Sequence, residues 1–168
     1  RYVAEYRGEW VAVLTFNSAA LHLKHRDRFL NWSHKQVEQR RHLIAQNSRF
    51  LVLPARTRWP NLASRVLKLV CQRLPEDWKA QFGHPVLLAE TFVDPQRFRG
   101  TCYRAAGWQA LGQTKGFERC GQDFYTDTRH PKELWVRPLG GKALEQLRAT
   151  ALPEELQVPR PTPPPPPP

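Results

Sequence analysis

The chain opens with two short apolar runs. Residues 2–6 and 10–16 have the length and composition of strands, and Arg7-Gly8-Glu9 between them is a hairpin turn signal. Ser18 is placed to cap a helix over Ala19 to Leu30, and a second helix follows over Lys35 to Ala45, with Glu38, Arg40 and Arg41 crowded on its exposed side. Arg49 to Leu53 is a brief apolar run stopped by Pro54, which suits a buried strand. After a loop over Ala55 to Pro60, Asn61 is a good N-cap. Leu62, Val66, Leu69 and Val70 then recur at helical spacing and make one apolar face. Val86 to Phe92 reads as a core strand. Asp94-Pro95 starts a helix expected to stop at Gly107. Trp108 to Thr114 and Glu133 to Leu139 read as the last strands. The polar loop Lys115 to Lys132 between them has room for one more near Phe124-Tyr125, and Gly141 to Arg148 forms a short helix.

This order predicts an α/β fold with a mixed central sheet flanked by helices. Residues 1–149 form the domain. From Thr150 the composition changes, because nine of the 16 prolines follow and the chain ends in a proline run. Such a tract holds extended polyproline II, so residues 150–168 read as a stiff linker to a further C-terminal part, with a proline-rich ligand as the other reading. The absence of Met and the start on Arg1 suggest a piece of a longer protein.

Charge narrows the partners. The net charge is +11, and the first 60 residues hold 11 Lys and Arg against 4 Asp and Glu. That balance favours polyanions, nucleic acid among them, over a neutral partner. Three widely spaced cysteines without a CxxC fit reduced thiols in the cytoplasm, and no apolar run approaches the length of a membrane span.

Candidate chemistry starts at the strand, loop and helix of residues 49–73. A strand that feeds a helix N-terminus through a loop is an anion site in waiting, since the first helical amides have no internal partner. The loop reads Arg58-Trp59-Pro60-Asn61-Leu62-Ala63. It resembles the Arg/Gln-x-x-Gly-x-Gly/Ala motif of the GNAT acyltransferases, and Tyr103 to Trp108 resembles their Tyr-x-x-x-Gly-Phe segment. The resemblance implies a GNAT-like sheet, interrupted here by a helical insertion near residues 18–46. It also implies acyl-CoA held by Arg58, Asn61, Leu62, Ala63 and Ser64, with Tyr103 as proton donor to the departing thiolate. Asn61 replaces a Gly where backbone must approach phosphate, and Pro60 removes an amide donor. The plainer reading makes Asn61 a helix cap and Tyr103 a core residue.

A second resemblance covers residues 1–139. His25-Arg26-Asp27, the run from Asn47 to Pro54, Asn61 to Ser64, Glu90 to Asp94 and Gly100 to Trp108 are similar, in one order, to the DruA family of the Druantia anti-phage system. Members are also found joined to transposases. This implies a module of a defence protein or of a transposase fusion, with other defence-system proteins or a transposase domain as partners.

The remaining candidates each have two readings. His22 and His25 share a helix face but lack a third ligand of recognisable spacing, so no metal is expected. Glu90, in an apolar strand, is either a general base or the partner of an Arg such as Arg49. Arg26, Arg40, Arg41, Arg49, Arg56 and Arg58, with Trp32 and Trp59, make a candidate nucleic-acid surface of cations and stacking rings. The favoured function is a nucleic-acid-associated module; the alternatives are a CoA-dependent N-acyltransferase and a protein-interaction domain.

Overall fold

The computed structural model describes residues 1–53, 58–119, 125–127 and 130–158. Strands β1 (Tyr2–Tyr6), β2 (Glu9–Ser18), β3 (Ile44–Val52), β4 (Leu88–Val93), β5 (Gln109–Gln113) and β8 (Glu133–Pro138) form one mixed sheet in the order β1-β2-β3-β4-β8-β5. Strands β6 (Phe117–Arg119) and β7 (Tyr125–Asp127) pair as a separate hairpin inside the expected loop. The β3–β4 pair is parallel and the other pairs are antiparallel. Arg7 and Gly8 both take positive φ, which gives the β1–β2 hairpin a two-residue turn whose twist matches its strands.

Helix α3 (Leu62–Phe82) covers one sheet face, and α1 (Lys24–Leu30), α2 (His34–Arg40) and α5 (Ala143–Arg148) belong to the second core. The α3 core brings Val66, Leu67, Val70, Leu74 and Trp78 against Ala12, Leu14, Ala45 and Trp135. The second core joins Leu30, Trp32, Val37 and Leu147 to Ile44, Leu88 and Val136. Each fully buried Leu or Val here contributes about 1.5–3 kcal/mol.

Several boundaries move, each because tertiary bonds outweigh local propensity. The helix expected from Ala19 begins only at Lys24, and Ser18 ends β2 instead of capping. Residues 19–23 stay unwound because the Arg26 guanidinium takes the carbonyls of Ala20 and Leu21 that a helix would need. Ser33, not Lys35, opens α2 with a full capping box. Ile44 and Ala45 lie in β3, paired with Leu88 and Ala89, not at a helix end. Leu69 is exposed; the buried face of α3 runs through Val66, Leu67, Val70, Cys71 and Leu74. After Asp94-Pro95 the chain makes one turn, with Arg97 and Phe98 amides on the Asp94 carbonyl, and helix α4 is confined to Thr101–Ala105.

The chain also stays on the domain beyond Ala149. Arg40 donates to the carbonyls of Leu147, Ala149 and Thr150, His42 Nε2 meets the Leu156 carbonyl at 2.7 Å, and Leu156 is buried. The composition changes at Thr150, but packing continues to Leu156. Residues 159–168 of the proline tract lie outside the described residues.

Gly100, with φ +65°, sets α4 beneath the Trp135 ring, where an added Cβ would lie 2.5 Å from a ring carbon. Gly100→Ala therefore combines backbone strain with overpacking, and is expected to cost about 1–3 kcal/mol in urea unfolding. A variant as stable as the parent would contradict this packing.

Candidate functional site

The parallel register of β3 and β4 ends at Asn47 opposite Thr91. Beyond that point Phe50 to Val52 pair only with β2, and Phe92 and Val93 only with β8. A wedge opens between the two central strands. Asn47 is buried at its apex, and every group it carries is engaged there. Its Nδ2 donates to the carbonyls of Thr15 (3.0 Å) and Arg49 (2.9 Å). Its Oδ1 accepts the Tyr103 hydroxyl at 2.8 Å, and its carbonyl accepts Thr91 Oγ1 at 2.9 Å. Burial pushes the Tyr103 phenol up to about 12, so it holds its proton at neutral pH. To protonate a thiolate it must leave Asn47, stranding a buried amide oxygen at a cost of about 1–3 kcal/mol.

Asn61 stands at the N-cap position of α3 but caps nothing. It is left-handed (φ 60°, ψ 14°) and makes no side-chain cap bond. Its carbonyl accepts the Ser64 hydroxyl and the Arg65 amide, both at 3.0 Å. Left-handed backbone is the conformation Gly takes freely and Asn tolerates best among the others, so the Asn preserves the chain path that a Gly would give. Arg58 pairs with Glu9 at 2.8 Å, both exposed, and lies 4.2 Å over the Trp59 ring, which meets Tyr6 edge-on.

These residues fit coenzyme A unevenly. Asn61 leaves the first-turn amides of Leu62, Ala63 and Ser64 without a side-chain cap, although Leu62 N reaches the Trp59 carbonyl at 3.3 Å. The dipole of a 21-residue helix suits phosphate there. The reacting end does not fit, since Asn47, Thr91 and Tyr103 close the wedge apex with their own bonds. No acyl-transfer step follows from this arrangement.

Glu90 is fully buried, and its partner is Arg26 instead of Arg49. Arg26 NH1 reaches Oε2 at 3.1 Å, and the Ala20 amide reaches Oε1 at 3.1 Å. Burial raises the Glu90 carboxyl and Arg26 opposes the rise. Arg26 also bonds Asp27, which is partly exposed, whereas Arg26 and Glu90 themselves are fully buried. Arg40 is equally buried, clamped on α5 carbonyls, and Trp32 donates to the Leu147 carbonyl. Neither Arg26 nor Arg40 can reach a nucleic acid. Arg41 is half-buried and donates to the Ala19 carbonyl, Arg49 is exposed, and Arg56 lies outside the described residues. His22 stacks on His34 and His25 lies against Gly112, and the described residues contain no cluster fit for a metal.

The registers bring other cations together. The ends of β1, β3 and β4 and the beginnings of β2 and β8 share the edge of the sheet onto which the wedge opens. Three exposed Arg–aromatic neighbours stand there: Arg7 over Tyr6 (5.2 Å), Arg58 over Trp59 (4.2 Å) and Arg97 over Phe98 (5.6 Å). Exposed Arg99 and Trp10 flank them. Arg7, Trp10, Arg97, Phe98 and Arg99 escaped the sequence reading. The legible signal was an Arg beside an aromatic residue, three times over, once at a strand end and twice in the connections that follow strands.

Glu90→Ala would leave buried Arg26 with only the partly exposed Asp27 as its charge partner, and is expected to cost up to about 3–5 kcal/mol of folding stability. Replacing both by apolar residues (Arg26→Met with Glu90→Leu) is expected to recover part of that loss in chemical denaturation, since the Ala20 amide and the Ala20 and Leu21 carbonyls lose their partners. A single variant of parental stability would contradict the pairing.

Comparison with known proteins supports this frame. No curated protein matches. Two solved structures of the aminoglycoside acetyltransferase AAC(6')-Ib, one with coenzyme A and kanamycin and one with coenzyme A, each superpose with a TM-score of 0.54 at 17% identity. They cover 88% of this chain and 70% and 69% of theirs. The GNAT-like fold expected from residues 58–63 and 103–108 is thus the fold observed. The family model described as Druantia protein DruA matches residues 2–147, nearly all of the packed domain, and the chain belongs to that family.

Proposed function

We propose that this DruA-family domain is a DNA-associated module of an anti-phage defence protein, using an acyltransferase-type frame as a scaffold and not for acyl transfer. The observation that carries the proposal is a division of labour among charged and reactive groups. Glu90 and Tyr103, the candidate catalysts, are spent on internal bonds. Arg7, Arg97 and Arg99 stand exposed along one sheet edge with Arg58, which shares an exposed pair with Glu9, beside the positive end of the α3 dipole. Exposed cations in a row meet phosphates without large desolvation, whereas the buried arginines serve the fold. A cytoplasmic setting fits three widely spaced cysteines without a CxxC. The proline tract suits a spacer to a partner domain, a transposase or another defence protein.

A second reading is coenzyme A binding at the start of α3. Left-handed Asn61, with no cap bond to the first amides, favours it.

Fluorescence anisotropy with labelled DNA tests the first reading. Binding is expected at low salt and to weaken on the order of a hundredfold between about 50 and about 200 mM salt, as for roughly four phosphate contacts. Arg97→Glu with Arg99→Glu should weaken it further without changing the melting temperature. A flat titration at low salt would sink the proposal. In a parallel thermal melt, a rise of several degrees with millimolar acetyl-CoA would favour the second reading.

A further inference from the structure

The edge that carries the exposed arginines also carries exposed rings. Trp10 is 64% exposed, Phe98 53% and Tyr6 45%. A single exposed ring is ordinary on a protein surface. These three lie on one edge of one sheet, and two of them, Tyr6 and Phe98, have a guanidinium over the ring. Trp10, second in β2, lies across from Glu5, whereas Tyr6 pairs with Glu9 one step further, so the two rings point to opposite faces of the sheet and Tyr6 is met by Trp59; Phe98 stands in the turn after β4. The wedge between β3 and β4 lies between Trp10 and Phe98, so the rings are set apart along the edge and do not pack into one cluster.

We infer that this edge is a stacking platform for single-stranded DNA, with unpaired bases laid on Trp10 and Phe98 and the phosphates between them met by Arg7, Arg97 and Arg99. The inference rests on the DNA-binding reading above and adds the form of DNA. Base faces are open only in an unpaired strand, because a duplex has already stacked them. A duplex would meet the arginines alone, leaving the rings without partners. Arginine suits both tasks here, since its planar group stacks on a ring while its edge donates to phosphate. Among the described residues no long helix lies along this edge for insertion into a major groove. The edge instead meets the beginning of α3, the short α4 and the turns 7–8 and 94–100.

The test compares one oligonucleotide of about 20 nucleotides, alone and as a duplex, at one salt concentration with the full chain. The single strand is expected to bind at least tenfold more tightly. Trp10→Ala and Phe98→Ala are each expected to weaken single-strand binding about tenfold and leave duplex binding within about twofold. Both rings are exposed, and unchanged melting temperatures would confirm that the variants fold. Arg7→Lys with Arg97→Lys, which keeps charge but loses the planar face, is expected to reduce the single-strand preference. Equal binding of both forms, indifferent to Trp10 and Phe98, would overturn the platform while leaving the DNA-binding reading intact. No binding of either form at low salt would overturn both.

Discussion

Everything at the centre of this fold depends on how Asn47 closes the split between β3 and β4. A sheet whose central strands part company exposes backbone groups that must find partners or pay for their burial. Asn47 supplies them on three sides. It ties β2 through the Thr15 carbonyl, β4 through Thr91, and α4 through the Tyr103 hydroxyl. The tyrosine ring then packs edge-on against Phe50 and Trp108, which joins α4 to the core beneath α3. The apex of the wedge is here a joint.

The same economy explains the fate of the charges. Arg26 and Arg40 look in sequence like parts of a basic surface, yet both are interior struts. Arg26 holds the unwound residues 19–23 against Glu90 of β4, which fastens the insertion to the sheet. Among the described residues Arg40 has no acidic partner and its Nε has none at all; its charge is solvated by carbonyls at the end of α5. Burial holds its pKa below the ordinary arginine value, and arginine stays charged there because its ordinary value is so high. Burial removes these two from the basic surface and leaves the arginines of the sheet edge among its exposed cations.

The legibility of the chain follows from where its information is local. The β1–β2 hairpin, β4, β8 and the start of α3 were readable because turn chemistry and apolar runs sit in adjacent residues. The parallel stretch Ile44 to Asn47 was not, since its strand character comes from Leu88 to Thr91, far along the chain. Asn61 was correctly placed as a helix boundary, but its left-handed backbone was not foreseeable from spacing. The Glu90 ion pair was expected in kind and missed in partner, because Arg26 and Glu90 are 64 residues apart. The aromatic and arginine pairs were present in the sequence as neighbours. Only the strand registers show that they share an edge.

The joint at Asn47 can be tested by a double-mutant cycle in folding stability, with Asn47→Ala, Tyr103→Phe and the pair compared by urea unfolding. The Asn47–Tyr103 hydrogen bond predicts that the two losses fail to add, with a coupling of about 1 kcal/mol or more. Losses that add to within about 0.3 kcal/mol would show that Tyr103 does not depend on Asn47, and that the wedge is free to open as a site.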